Sequence, residues 1–415
     1  HVECVRAICA NGTHQALGVK TTTDNWNLTP VNLVYPYLAK MGHDPTSARD
    51  AIGAAVVCPW RQVSLPFQPD FPGERQWNVG AAKFACVPST RATSHKNWDA
   101  LLAHLGADLD GVIKSLEWTR AAKINTGGEY LKAWLACVVR EPFCHLPYLF
   151  FYSPEENSGK STLGEALPLL IRPGVQQVDD CLTGSHFNGQ LKNAVICTVE
   201  ETDLSQYPLA RSRIKQWVTG EFISIREMRR DAYTIPNTTH WIQTANYLQA
   251  CPVWPGDTRI SVIRVAPVKN EIYKGEFLPR LEKEAPHFLR TLFDFELPPL
   301  LGRLRLPVIS TTEKCRAQEQ NRTLLDLYLD ECHECAGGRI SFREFFESFH
   351  VWLPDNERRY WSRRKVSHGL PSRYPVGAGT DNIRFIGNLS LTDGGAPGDP
   401  LVLSPVGRLV TSKGE

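Results

Sequence analysis

The chain has 415 residues, enough for roughly two or three domains, and its 42% hydrophobic and 22% charged content is ordinary for globular proteins. A formal charge of +2 excludes a histone-like polycation, so any contact with nucleic acid must come from local basic clusters. No apolar run reaches the length of a membrane span and no signal peptide heads the chain, so a cytoplasmic enzyme without a membrane partner is expected.

Residues 1–110 are expected to form an α+β region with no catalytic signature. The twelve cysteines are scattered, and Cys332 and Cys335 lack the second pair that a zinc site needs, as do Cys4, Cys9 and His14. Val112–Val139 reads as helical, with Ile113, Leu116, Leu131, Trp134, Leu135 and Val138 at helical spacing.

The apolar run Leu146–Phe151 is then followed by SPEENSGKST, ending at Thr162, and by EALPLLI. Strand, glycine-containing turn and helix in that order is the layout of a phosphate-binding loop. Backbone N–H groups of Asn157, Ser158, Gly159 and Thr162 would face phosphate oxygens at a helix N-terminus, Lys160 would reach the β- and γ-phosphates, and Ser161 would hold Mg²⁺. The first-glycine position of the strict pattern holds Pro154 instead. Ala194–Val199 reads as a second buried strand, and it ends in Glu200 and Glu201. Beside a triphosphate one carboxylate can hold Mg²⁺ and the other can polarise the attacking water. Thr239–Asn246 is a third strand with Asn246 at its end, where an amide can orient that water or sense the γ-phosphate. Arg259 follows, placed to act as a finger in a neighbouring subunit's site or to pair with Asp257.

Phosphate loop, strand-Glu-Glu, strand-Asn and Arg within about a hundred residues resemble a superfamily III helicase, and within it the phage and plasmid primase-helicase family. The segments FNGQLKNAVICTVEE, RIKQWVTGEFISI and PNTTHWIQTAN carry the likeness further, over residues 77–306. The resemblance implies an α/β fold: a P-loop NTPase (AAA+-like) core at 147–300 with a mainly parallel sheet, a helical collar at 111–146 and a winged-helix domain at 311–392, then a flexible tail at 393–415. It implies ATP and Mg²⁺ as cofactors, with Lys160 and Ser161 on phosphate and metal, Glu200 on Mg²⁺, Glu201 as general base, Asn246 as sensor and Arg259 as the trans-acting finger. The partners implied are single-stranded and forked DNA, other copies of the chain in a ring expected to be a hexamer, and a primase-polymerase domain upstream or in trans. A DNA-contacting hairpin is implied within Arg211–Tyr233, with Arg226, Arg229 and Arg230 near its tip.

In the C-terminal part, Arg316–Cys332, the segment GRISFREFFESFHVWL and Arg358–Gly369 read as three helices, and NIRFIGNLSLT as a wing strand. Arg358, Arg359, Arg363, Arg364 and Lys365 on the third would follow duplex phosphates. Two competing functions stay open. One is a P-loop ATPase switch or DNA-packaging motor that does not unwind, and the other a non-enzymatic origin-binding module with a degenerate loop.

Overall fold

The computed structural model describes the chain except residues 1–3, 11–12, 21–25, 30, 229–230, 269–272, 380–382, 393–397 and 413–415. The described residues divide into two compact units, His1–Ala317 and Gln318–Glu415.

The first unit opens with a sheet of order β3-β2-β1-β4-β5. Its strands are β1 (Val5–Ala10), β2 (Thr13–Lys20), β3 (Trp26–Thr29), β4 (Trp60–Gln62) and β5 (Gln76–Trp77), with helices α1 (Val31–Lys40) and α2 (Pro45–Val57) between β3 and β4. Arg6 lies over the rings of Trp26 and Trp60, 4.1 and 4.3 Å from their centroids. The sequence predicts strands and helices here, but not their order or pairing.

Helices α3 (Lys96–Gly106), α4 (Asp110–Ser115), α5 (Glu117–Ala121) and α6 (Gly127–Arg140) follow, so helical structure begins before residue 111. Trp98 stacks on Phe288 at 4.6 Å, joining α3 to α10 (Lys274–Asp294). The meeting of α3 and α6 depends on glycine. A Cβ on Gly127 would stand 1.8 Å from the carbonyl oxygen of Gly106, a distance no side chain tolerates.

Five parallel strands form the second sheet: β6 (Tyr148–Tyr152), β7 (Val175–Gln177), β8 (Ile196–Glu200), β11 (His240–Ala245) and β12 (Ile260–Arg264), in the order β12-β6-β11-β8-β7. Strands β6, β8, β11 and β12 are buried along nearly their whole length because both faces are covered. Leu149, Phe151, Ile242 and Ile263 pack with α3, α6 and α10. Tyr148, Phe150, Cys197 and Val199 face the opposite layer, which contains α8 (Asp179–Thr183) and α9 (Pro208–Trp217). Between β6 and β7 runs α7 (Lys160–Ala166), and β9 (Phe222–Ile225) pairs antiparallel with β10 (Tyr233–Pro236) as a separate hairpin. The unit closes on α11 (Thr312–Gln320), which continues across the division.

In the C-terminal unit, β13 (His333–Ser341), β15 (Arg384–Ser390) and β14 (Val376–Ala378) form an antiparallel sheet of order β13-β15-β14, against which α12 (Leu324–Glu331) and α13 (Phe342–Trp352) pack through Tyr328, Phe345 and Phe349. Three expectations are corrected here. The helix expected over Arg316–Cys332 breaks before Leu324, because Thr323 and Asp326 form a reciprocal cap. The helix expected over Arg358–Gly369 is two, α14 (Asp355–Arg358) and α15 (Arg363–Gly369), because Ser362 accepts the Lys365 N–H at 3.2 Å and starts a new helix. The stretch expected as a loose tail carries a hairpin, β16 (Leu401–Leu403) with β17 (Leu409–Thr411). No helix among the described residues is long and apolar enough to cross a membrane.

His240 begins β11 at 1% exposure, and the carbonyls of Val195 and Cys144 face its two ring nitrogens at 2.9 and 3.0 Å. Burial pushes its imidazole down from 6.5 to about 4. Between those values the unfolded chain binds a proton that the folded chain does not, so stability rises with pH across this window. The His240 contribution should fall by about 1.4 kcal/mol per pH unit as pH drops from 6.5 to 4. Urea unfolding of wild type and His240→Gln across that range checks it: the variant's stability should lose its extra slope.

Candidate functional site

The parallel arrangement puts the ends of β6, β8 and β11 at one edge of the sheet, the edge where open α/β sheets hold ligands. The loop 153–159 leaves β6 there and runs into α7. Three ties hold it. The Ser153 N–H donates to the Ala245 carbonyl at 3.2 Å, the Val268 N–H to the Asn157 carbonyl at 3.5 Å, and His104 Nε2 lies 2.8 Å from the Ser158 carbonyl. Asn157 and Gly159 both take left-handed backbone, with φ of 55° and 76°. A Cβ on Gly159 would also press to 3.3 Å from Val268 Cγ2, so this glycine answers both a backbone and a space requirement. Pro154 is exposed and directly follows Ser153, the first of these ties.

Within the loop Ser158 is buried and its Oγ has no hydrogen-bond partner; Thr244 Oγ1, near the end of β11, is in the same state. Such groups are costly unless something else satisfies them. Lys160, 7% exposed, donates from Nζ to Asn246 Oδ1 at 2.6 Å. Burial pushes its ammonium down, while Glu201 and Glu156 pull it back up. Ser161 and Thr162 stand in the first turn of α7, Ser161 partly exposed and Thr162 buried.

Glu200 ends β8 half-buried, its N–H donating to Asp179 Oδ1 at 3.0 Å. Its Oε1 is 3.1 Å from where a Cβ on Gly164 would stand, which places the carboxylate against α7 one turn beyond Ser161. Burial, then the charges of Asp179, Glu165 and Glu201, push Glu200 above the usual carboxylate range. Glu201 is exposed and has φ of 53°, a conformation uncommon outside glycine, and its N–H donates to the Thr244 carbonyl at 3.0 Å. Lys160, Ser161, Glu200, Glu201 and Asn246 thus come together. His104, Gly164, Asp179 and Val268 join them without any sequence signal, being distant in the chain and of no diagnostic type.

Arg259 does not join them. It precedes β12, and its carbonyl accepts from the Tyr148 N–H at 2.9 Å, so it stands at the opposite edge of the sheet. The five residues of β12, roughly 16 Å, separate it from the loop edge. Its side chain donates from Nε to Thr219 Oγ1 at 3.3 Å. Asp257, the alternative partner, is taken by the buried Lys314 at 3.0 Å and by backbone N–H groups.

Among the predicted DNA contacts, Arg226 is exposed just beyond β9, and Arg229 and Arg230 lie outside the described residues. Arg211 and Lys215 lie over the Trp254 ring, and Arg213 donates to the carbonyls of Cys181 and Ser185 at 2.5 and 2.9 Å. These three are used in packing rather than presented as a strip. In the C-terminal unit Arg358 pairs with Asp355 at 2.9 Å and Arg359 donates to the Tyr360 hydroxyl at 2.6 Å, whereas Arg363, Arg364 and Lys365 are exposed. No group of three or more His, Cys, Asp and Glu among the described residues could hold a metal ion, and Cys332 and Cys335 are no exception.

A family model described as a family of unknown function (DUF5906) matches residues 151–259, the span from the phosphate loop to Arg259. No curated protein matches the chain. Among solved structures the chain is similar to the apo structure of the NrS-1 C-terminal region (305–718), with a TM-score of 0.59 over 92% of this chain and 96% of that one at 16% identity. An A-form apo structure of the same region gives 0.57 over 92% and 96% at 15% identity. The likeness shows a shared fold along nearly the whole chain: mixed α/β, with a mainly parallel five-stranded sheet.

Gly159→Ala should destabilise the protein by about 1–2 kcal/mol for left-handed strain, plus the cost of moving Val268. Gly256 has the same sign of φ, 73°, with open space at its Cβ, so Gly256→Ala pays only the strain. Urea unfolding of both variants should rank Gly159→Ala as the less stable.

Proposed function

We propose that residues 147–300 form an ATP-hydrolysing motor of the superfamily III type that acts on DNA in the replication of a phage, plasmid or other mobile element, in the cytoplasm of a bacterial host. The observation that carries the proposal is the convergence of Lys160, Glu200, Glu201 and Asn246 at one sheet edge, with the lysine amine already 2.6 Å from the asparagine. The shared fold with the NrS-1 C-terminal region is compatible with this reading.

Each side chain has a distinct task. Lys160 neutralises charge on the β- and γ-phosphates and must exchange Asn246 for phosphate oxygen when ATP enters. The Ser161 hydroxyl and the Glu200 carboxylate, held against the same turn of α7, suit the Mg²⁺ that accompanies ATP. That ion would draw charge from the β- and γ-oxygens. Its remaining ligands would be phosphate and water, consistent with the small donor set here. The partnerless Ser158 hydroxyl is a further donor for a phosphate oxygen. Glu201 accepts a proton from the attacking water, and its left-handed backbone is the kind of local strain found at reacting positions. Asn246, released from Lys160, orients that water.

Arg259 cannot reach the loop of its own chain, which favours a ring, here a hexamer, in which each site borrows the arginine of the next subunit. The β9–β10 hairpin, with Arg226, Arg229 and Arg230, would follow single-stranded DNA in the channel, and helices α3–α6 would form the collar. The C-terminal unit, read as a winged helix, would hold forked DNA through Arg363, Arg364 and Lys365, with lesser parts for Arg358 and Arg359. A primase-polymerase domain, in the same protein or in trans, completes the proposed assembly.

ATP hydrolysis with and without single-stranded DNA tests this. Turnover should rise with DNA, and Lys160→Ala or Glu201→Gln should lower it by roughly 10²-fold or more. Arg259→Ala should cost roughly 10³-fold, yet mixing it with Lys160→Ala should restore part of the activity, since mixed rings contain some intact sites. A wild-type ring that hydrolyses nothing overturns the motor.

A further inference from the structure

The C-terminal unit contains a cleft of about 410 Å³ whose lining includes Arg343, Arg363, Arg364, His368 and Arg384. Three elements build it: the first turn of α13, the helix α15 and the first residue of β15. No acidic side chain lines it among the described residues. Four guanidinium groups in one concavity raise the local positive potential, and an anion between them would relieve their mutual repulsion. The floor is aromatic. Arg363 lies over Phe346 and Arg384 over the buried Phe342, at 5.4 and 5.5 Å from the ring centroids. Arg384 is further steadied by donating to Ser367 Oγ at 3.2 Å. Rings on one side reduce hydration and strengthen charge pairing on the other.

The neighbouring cations are occupied differently. Arg358 pairs with Asp355 and donates to the carbonyls of Leu353 and Val351, and Lys365 lies 4.3 Å from the Trp361 ring. Among the described residues only Arg343 of the cleft arginines has an acidic partner, Glu347 one turn along α13 at 2.8 Å, and both are exposed at 78% and 56%. Such an exposed pair is weak enough for a phosphate to displace.

We propose that this cleft binds consecutive phosphodiester groups of a DNA backbone, with Arg343 and Arg384 as contacts that the third-helix cations alone do not supply. Guanidinium forks match phosphate oxygens in pairs, and a cleft of this size exceeds one phosphate. Among the described residues the lining offers no side chain of the Asn or Gln type that reads adenine, which favours recognition of backbone rather than sequence. The assignment rests on the proposed action on DNA.

Fluorescence anisotropy of a labelled 20-base-pair duplex with the full chain, without nucleotide and over a salt series, tests it. Arg343→Gln/Arg384→Gln should weaken binding about tenfold and flatten the logarithmic salt slope by about 1.8, the value for two phosphates. Glu347→Gln frees Arg343 and should tighten binding about threefold, an opposite sign that misfolding does not produce. Unchanged affinity and slope in the double variant overturn the proposal and point to an acidic protein partner instead. Tripolyphosphate that competes as well as duplex also overturns it, reducing the cleft to a small-anion site. Wild-type ATP turnover reads the motor separately. Binding through the cleft without turnover leaves the cleft and retires the motor, and turnover with identical salt slopes does the reverse.

Discussion

A parallel sheet covered on both faces must satisfy its interior polar groups internally, as Gln243 does with the Tyr148 hydroxyl, and keeps its available polar groups at its ends; the first unit is organised by that constraint. Leu149 and Phe151 fill one layer and Tyr148 and Phe150 the other, so β6 has no free face along its length. The same holds for β8 and β11, where Val199 and Ile242 are buried. Ser153, Glu200, Glu201 and Asn246 each stand at or just past the last buried position of a strand. Parallel register then brings those positions together, since Thr244 faces Glu200 and Ala245 faces Tyr152 across the ladder. Chemistry collects at this edge because hydrophobic burial excludes it elsewhere.

The candidate loop is shaped as much from outside as by its own residues. His104 on α3 holds the Ser158 carbonyl, and Val268 beyond β12 closes on Gly159. The position of α3 depends on the Gly106–Gly127 approach and on the Trp98–Phe288 stack. A contact deep in the helical layer therefore reaches the loop through a rigid helix. Arg259 follows the same geometry with the opposite result. Its strand begins where the others begin, so it faces away from the loop of its own chain.

Cations show how little residue type says about use. Arg213 spends its guanidinium on two carbonyls, Arg211 and Lys215 cover Trp254, and Lys314 is buried on Asp257 and two carbonyls. Arg343 and Arg384 lie 41 positions apart, neither in a basic run, yet share one cleft. A net charge of +2 hides both patterns, because charge acts through its local surroundings.

Short-range regularities were legible from the sequence. The apolar runs before Ser153, Glu200 and Asn246 marked three buried strands, and the Gly-Lys-Ser junction marked a turn into a helix, because burial and backbone conformation leave their signatures within a few residues. Caps were missed: Thr323 with Asp326 and Ser362 with Lys365 stop helices that periodicity alone continues, since one side-chain bond outweighs weak helix propensity. An α+β region was expected at the N-terminus, but the parallel pairing of β1 with β4 joins segments about fifty residues apart and left no local signal. Only the tertiary structure decided that Lys160 meets Asn246, that His104 holds the loop, that Arg259 faces away and that four arginines form a cleft. Each of these depends on the distance between segments far apart in the chain, and that distance is settled by packing of whole layers rather than by any local pattern.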